Sequence, residues 1–170
     1  VGTLYEELRA SVKNSRTVHT DDTGWRVGGK PAFLMVFETE EATVYQVRPR
    51  HRNEEVREVV PSDYLGVMVT DRGRSYDSQT LARVRQQKCL AHVLRSISQV
   101  VKTKKGKGRS FGNQLEQLQR EAMKLWQAYH RRGAVDFAAQ AERLIRELAY
   151  HLRDRPKKDP DNWRLQNELD

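Results

Sequence analysis

The feature that most constrains this chain is a strand followed directly by an aspartate and a turn, which occurs twice. The first strand, Arg16 to Thr20, meets Asp21, and a second apolar segment, 65–70, meets Asp71, fifty positions later. β-branched residues favour strands, and a nearby glycine favours a turn, so each strand is predicted to end in a carboxylate. Two such strand ends at one edge of an α/β sheet can form a metal site.

The segments between these strands predict how the two aspartates come together. Paired glycines at 28–29 indicate a tight hairpin, so the first three strands form a meander. A short helix from Asn53 to Val60, stopped by Pro61, then crosses to the fourth strand. A crossover of this kind makes strand four parallel to strand one. If the two strands are neighbours, Asp21 and Asp71 lie side by side and can share one divalent ion.

Further periodic segments complete the predicted elements. Segment 75–84 is predicted to be helical, 85–90 to be a fifth short strand, and 91–101 to be a helix. Ala32 to Phe37 is apolar on both faces, which predicts a strand covered on both sides. Trp25 is expected in the core, where most tryptophans pack.

The second half of the sequence has a different character. A run of cations opens it, comprising Lys102, Lys104, Lys105, Lys107 and Arg109. Two leucine-rich helical stripes follow, and Gly133 between them is a natural C-terminal cap, so an antiparallel helical hairpin is predicted. Asp159-Pro160 then has the pattern of a helix start. Because a helix is only beginning where the sequence stops, we expect the chain to be truncated.

Charge and composition favour an anionic partner. The chain of 170 residues has a formal net charge of +8, which nucleic acid would complement, although solubility alone could account for it. It contains one cysteine, Cys89, which excludes an internal disulfide framework and fits a reducing cytoplasm. No long apolar run or signal peptide is visible, so we expect a soluble protein with no membrane partner.

Three ordered motifs resemble a known family, the insertion sequence sixty-six transposases of the DDE type. The segment 19–27 contains Asp-Asp-Thr-Gly-Trp where the family usually has Asp-Glu-Thr-Gly-Trp, and 66–77 is similar to its second acidic strand. The segment 88–95 is similar to the family's Cys-x-x-His-x-x-Arg motif through Cys89, His92 and Arg95. The resemblance extends over most of the chain.

This resemblance implies a fold, a chemistry and a site. The implied fold is ribonuclease-H-like, a mixed five-stranded sheet flanked by helices with an inserted helical hairpin. Asp21 matches the first catalytic and metal-binding Asp of the family and Asp71 the second, with Mg²⁺ or Mn²⁺ in a two-ion site. The family's third carboxylate, a Glu beyond the helical insertion, has no match in this chain. The implied partners are transposon ends and target DNA, with self-association also open and a nucleoid-associated location.

Several candidate residues have plainer interpretations. An Asp after a strand is often only a turn residue. Cys89 and His92 have the spacing of half a metal site, but a structural zinc needs four ligands, so we favour a small packed thiol and a helix-start histidine. Their motif, with Arg95, could instead position DNA or support the acidic site. The basic run suits phosphate contact or a solvated loop equally well.

The sequence therefore predicts four segments and a ranked set of functions. The segments are a ribonuclease-H-like catalytic core at 1–101, a basic linker at 102–111, a helical hairpin at 112–155 and the start of a C-terminal helical segment at 156–170. The first hypothesis is a truncated DDE transposase domain that cleaves and transfers DNA strands when complete. The alternatives are a metal-dependent nuclease of the same fold, with Asp22 or Glu38 as a local third acid, and a non-catalytic DNA-binding or dimerising remnant.

Overall fold

The computed structural model describes residues 2–133, 135–153 and 159–169. Within these ranges the chain forms five strands, six α-helices and one 3₁₀ turn at Gln79–Leu81. In chain order the α-helices and strands are α1 Gly2–Asn14, β1 Thr17–Val27, β2 Lys30–Glu38, β3 Thr43–Arg48, α2 Asn53–Arg57, β4 Val67–Thr70, β5 Arg85–Lys88, α3 Leu90–Thr103, α4 Gly106–Arg132, α5 Phe137–Arg153 and α6 Pro160–Leu169.

The five strands form one mixed sheet in the order β3-β2-β1-β4-β5. The β1–β2 and β2–β3 pairs are antiparallel, as expected for a meander. The β1–β4 and β4–β5 pairs are parallel. Each is preceded by a crossover connection that returns the chain to the end of the sheet where the previous parallel strand began. This is the mixed five-stranded sheet of the ribonuclease-H-like fold, so the predicted fold class is confirmed, as is the predicted pairing of strands one and four.

The chain forms two compact units, residues 1–89 and 90–170, which we call the sheet unit and the helical unit. The core of the sheet unit lies under one face of the sheet. Met35, Phe37 and Met68 are fully buried there against Val12 of α1 and Val56 of α2. On the opposite face, Leu34 and Val36 of β2 are only half-buried, and their β3 partners Val47 and Tyr45 are 39% and 60% exposed. The prediction that β2 is covered on both sides is therefore wrong.

In the helical unit, α3 packs against α4, and α4 against α5. The α4–α5 hairpin is the one that the leucine stripes predict, and rings close it where the helices meet: the centroids of Tyr129 and Phe137 are 4.4 Å apart. Gly133 caps α4 in the left-handed conformation (φ 61°) and donates its N–H to the Tyr129 carbonyl at 2.9 Å, as expected. No helix in the described ranges is long and apolar enough to cross a membrane.

Two predicted segments differ in the structure. Of the helix expected at 75–84, only the 3₁₀ turn forms, because side chains from other segments bind the loop carbonyls: Asn53 Nδ2 donates to the Ser75 oxygen at 3.0 Å and Gln86 Nε2 to the Tyr76 oxygen at 2.7 Å. The predicted basic linker 102–111 is instead the end of α3 and the start of α4, interrupted only at 104–105, and Phe111 of α4 is buried with residues of α3 in the core of the helical unit.

The compact units also divide the chain earlier than the predicted segments do. The first unit ends at Cys89 rather than at 101, because α3 packs with α4. Asp159 caps α6 as predicted, accepting the N–H groups of Asp161 (3.0 Å) and Asn162 (3.2 Å). The end of the predicted hairpin and the start of the predicted final segment, residues 154–158, lie outside the described residues.

Candidate metal centre

Asp21 and Asp71 lie where two parallel strands diverge. The register pairs Thr17 with Val67 and ends at His19 with Val69, so continuing it by two residues places Asp21 beside Asp71. β4 ends at Thr70, immediately before Asp71. β1 instead continues to Val27, because all of β2 pairs with residues 19–27 of β1. The prediction that β1 ends at Asp21 is therefore wrong.

Three carboxylates meet at this point. Asp21, Asp22 and Asp71 each offer one oxygen, and these oxygens all lie within 4.8 Å of one another. Adjacent residues on a strand point to opposite faces, so the closeness of Asp21 and Asp22 needs a local cause. The Asp21 carboxylate is held close to the backbone of the next residue, because its Oδ1 accepts the N–H of Asp22 at 2.9 Å.

The loop after β4 fixes the carboxylate of Asp71. Its Oδ1 accepts the N–H of Gly73 at 2.7 Å, the local hydrogen bond that makes aspartate common in turns. A Cβ atom at Gly73 would lie only 2.8 Å from that same oxygen. A glycine is therefore needed at this position for the carboxylate to keep its orientation.

His51 connects Asp22 to the loop that carries Asp71. Its Nδ1 lies 3.0 Å from Asp22 Oδ1, and its Nε2 lies 3.0 Å from the Ser75 hydroxyl. The imidazole packs in tilted and edge-on contacts with Phe33 and Tyr76, at centroid distances of 5.9 and 5.6 Å. The hydrogen bond to Asp22 is the main cause that raises the pKa of His51, and burial opposes it. His51 was not predicted from the sequence.

Tyr76 forms the buried floor beside these groups. It is fully buried, and its hydroxyl lies 3.3 Å from Thr20 Oγ1. Burial is the main cause that raises its pKa well above the usual value for tyrosine, with the nearby negative charges of Asp22 and Asp71 adding to it. The ring therefore stays neutral and serves as a packing surface for His51.

The donor set fits a hard divalent cation. Carboxylate oxygens are the ligands that Mg²⁺ takes, at about 2.0–2.1 Å, so two oxygens on one ion lie at most about 4 Å apart. Neighbouring oxygens on one octahedral ion lie about 3 Å apart, so three oxygens within 4.8 Å of one another need to approach by at most about 2 Å to share an ion. Asp21 is exposed and Asp22 and Asp71 are half-buried, which leaves solvent access. Glu38, the other predicted local acid, is not in this cluster among the described residues.

Comparison with known proteins identifies the family. The sequence model described as "Transposase IS66 family" matches residues 1–167. The chain belongs to this transposase family. The predicted resemblance is therefore confirmed over nearly the whole chain.

No curated protein matches the chain. Among solved structures, the chain is similar to the HTLV-2 integrase catalytic core domain in complex with magnesium in its trimeric form. The sequence identity is 12%, the aligned part covers 89% of this chain and 96% of that one, and the TM-score is 0.37.

The other motif residues of this IS66 family member follow β5 or lie on α3. Cys89 directly follows β5 and donates its N–H to the Thr70 carbonyl at 2.6 Å. His92 and Arg95 lie one turn apart on α3. Within the described ranges, neither Cys89 nor His92 joins a group of three potential metal ligands.

The predicted DNA-binding cations are distributed around the α3–α4 junction. Lys102, Lys105, Lys107 and Arg109 are exposed. Lys104 instead forms ion pairs with Asp159 at 3.0 Å and Asp161 at 2.6 Å, which neutralise its charge. The exposed members of the run keep the charge that a phosphate contact needs.

Proposed function

We propose that this chain catalyses metal-dependent DNA strand cleavage and transfer, with Asp21 and Asp71 as its catalytic metal-binding carboxylates. The observation that carries the proposal is the meeting of Asp21 and Asp71 where β1 and β4 diverge, in a chain that belongs to a transposase family. Two residues fifty positions apart reach one point because of the sheet register, which a chance cluster of surface acids would not require.

The chemistry proposed for this site is an in-line displacement at a phosphorus atom. Bound Mg²⁺ or Mn²⁺, in a two-ion site, would activate the attacking oxygen and stabilise the leaving one. The carboxylates of Asp21 and Asp71 hold the site at a separation fixed by two paired strands. The Gly73 N–H orients Asp71, and the Asp22 N–H orients Asp21, so neither carboxylate has to be ordered when substrate binds.

A second candidate function, a metal-dependent nuclease of the same fold, is favoured by the position of Asp22. Its carboxylate is the third member of the cluster, whereas Glu38 is not. One Asp22 oxygen is bonded to His51 at 3.0 Å, which would orient the other toward a shared ion. Under this function, Asp22 supplies the third carboxylate that the family motif otherwise places beyond the helical insertion.

DNA is the proposed partner in both cases, and transposon ends and target DNA are the proposed substrates. Self-association of the chain is a second proposed interaction. The formal net charge of +8 and the exposed cations of the 102–109 run support phosphate contact. The same features are expected of the non-catalytic alternative, a DNA-binding or dimerising remnant. In that alternative the acidic cluster has no role in catalysis.

The test measures both nicking and metal binding by the whole chain. Single-turnover nicking of DNA with Mg²⁺ should fall more than about 100-fold in Asp21→Asn and Asp71→Asn, because even outer-shell partners of metal ligands cost about 10- to 100-fold. Mn²⁺ binding followed by electron paramagnetic resonance should weaken in parallel. Asp63→Asn, which removes an exposed carboxylate outside the cluster, is the matched control and should change neither.

The same assays separate the alternatives. A loss as large in Asp22→Asn supports the three-aspartate nuclease, and activity retained in that variant excludes it. Nicking that persists in both Asp21→Asn and Asp71→Asn eliminates the proposed site. DNA binding that survives both changes, in a chain with no nicking and no Mn²⁺ affinity, supports the non-catalytic alternative.

A further inference from the structure

The β1–β2 hairpin extends beyond the rest of the sheet next to the acidic cluster. β4 pairs with β1 only as far as His19, and β3 pairs with β2 only from Phe33 onward. Residues 25–32, which we call the ribbon, therefore pair only with each other in the described sheet. Two glycines with positive φ (56° and 79°) form the turn, as expected for a tight primed turn.

One face of the ribbon continues the face that carries Asp21. Side chains alternate along a strand, so Trp25, four residues after Asp21, lies on the same face. Lys30 is the cross-strand partner of Val27 and shares that face as well. Arg26 lies on the opposite face, where its guanidinium donates to the Gly29 carbonyl at 3.0 Å.

This face is open and has the charge and chemistry of a nucleic-acid surface. Trp25 is 50% exposed, contrary to the expectation that it is a core residue. Between positions 23 and 37 the sequence contains two cations, Arg26 and Lys30, and no acidic residue. An exposed indole on the same face as a lysine is a combination that binds stacked bases and backbone phosphates of unpaired strands.

We infer that the ribbon binds the DNA strand leaving the acidic cluster, with Trp25 stacking on an unpaired base and Lys30 contacting a phosphate. The inference rests on the proposed function, because the cluster supplies the position of the reacting phosphate. Four residues of strand span about 13 Å, so the stacked base lies a few nucleotides from that phosphate.

The first test compares three tryptophans with similar exposure. Trp25 is 50% exposed, and Trp126 and Trp163, both in the helical unit, are 55% and 54% exposed. In fluorescence anisotropy with DNA that carries a single-stranded overhang, Trp25→Ala should weaken binding about tenfold, since one stacked base contributes a factor of this order. Trp163→Ala should remain within about twofold of the unaltered chain, and Trp25→Phe should recover most of the affinity.

A second measurement leaves Trp25 in place and so does not depend on how its variants fold. In the Trp126→Phe/Trp163→Phe chain, overhang DNA should quench the remaining Trp25 fluorescence. In the Trp25→Phe chain, the other two tryptophans should show little quenching. Quenching confined to Trp126 or Trp163 would overturn the inference, as would equal affinities of the Trp25→Ala and Trp163→Ala chains.

The two faces of the ribbon give a charge test. Lys30→Gln should lower the slope of log affinity against log salt by about one, the value for one lost phosphate contact. Arg26→Gln removes the same charge from the opposite face and should change the slope less. A larger effect of Arg26→Gln would overturn the assignment of the binding face.

The outcomes distinguish this inference from the proposed function. If Trp25→Ala weakens binding to fully duplex DNA as much as to overhang DNA, stacking on an unpaired base is overturned. If nicking depends on Asp71 but DNA binding ignores Trp25 and Lys30, only the ribbon inference fails. If the unaltered chain binds no DNA at all, both fail.

Discussion

The sheet unit and the helical unit are stabilised by different kinds of contact. The sheet unit depends on strand pairing between distant segments, and polar groups such as Thr20, Gln46 and Thr70 are buried within it. The helical unit depends on apolar stripes along its helices, with ion pairs between neighbouring turns on the surface, such as Arg146 with Glu142 and Arg143 with Glu147. All three carboxylates of the candidate site belong to the sheet unit.

This difference explains why the candidate functional groups lie in the sheet unit. Helical stripes bring together residues three and four positions apart, which builds a packing face but places few different functional groups at one point. Strand pairing brings segments fifty positions apart into register, so groups with unrelated local sequences meet. Matched substitutions in the two units should therefore differ in their effects on stability and on metal binding.

The largest expected effect comes from the core of the sheet unit. Phe37 is fully buried, so Phe37→Ala should lower the free energy of unfolding by about 3–5 kcal/mol. Ile145 on α5 is 66% exposed, and Ile145→Ala should change it by about 0.5 kcal/mol or less. Urea denaturation followed by circular dichroism measures both. Similar losses in the two variants would show that the described burial of these side chains is wrong.

The next effect concerns the hydrogen-bonded bridge through His51. His51→Leu removes the bonds to both Asp22 and Ser75, and Mn²⁺ affinity should fall about 10- to 100-fold, as for other outer-shell partners. His51→Gln keeps a donor and an acceptor and should lose less. His130→Leu, in the helical unit, is the control and should leave Mn²⁺ affinity unchanged. An unchanged affinity in His51→Leu would remove His51 from the site.

A smaller difference in stability is expected between alanine substitutions at two glycines, one in each unit. A Cβ at Gly66 would lie 2.6 Å from the Arg16 backbone oxygen, so Gly66→Ala should cost about 1–3 kcal/mol. A Cβ at Gly112 in α4 would come closest to the Val101 side chain, at 2.8 Å, and would lie 3.7 Å from the nearest backbone atom, while alanine gains about 1 kcal/mol in helix propensity. Gly112→Ala should therefore be close to neutral. Urea midpoints that ranked the two in reverse would contradict the backbone contact described at Gly66.

The smallest effect is expected on the surface of α5. Arg146 and Glu142 pair at 3.2 Å with side chains that are 70% and 66% exposed. Exposed pairs of this kind contribute little, because water and salt screen them and both side chains lose freedom. Arg146→Ala should leave the urea midpoint within experimental error of the unaltered chain. A clear shift would mean that α5 is stabilised by more than its apolar stripe.

The parts of this molecule that depend on local pattern were predictable from its sequence. The primed turn at 28–29, the cap at Gly133 and the apolar stripes of α4 and α5 each follow from residues close together in the chain. The parallel pairing of β1 with β4 was predictable as well, because the length of the crossover and the repeated strand-Asp pattern limit the topology.

The remainder depends on contacts that no local pattern records. His51 lies in the connection between β3 and α2 and meets Asp22 and Ser75 only after the sheet has formed. Trp25 was expected in the core because most tryptophans pack there, and the sequence does not reveal that β1 continues past its neighbour β4. The helix predicted at 75–84 is lost because distant side chains bind the carbonyls of Ser75 and Tyr76.

The divergence of β1 and β4 after His19 has a thermodynamic consequence. Opposing carboxylates are held together there by nothing covalent, so an unfolded chain has no counterpart of the site. Any cation bound between Asp21 and Asp71 would consequently favour the folded sheet by mass action, by about 2.7 kcal/mol at a free concentration one hundred times its dissociation constant. Melting of the strands and departure of the ion would then be a single coupled event.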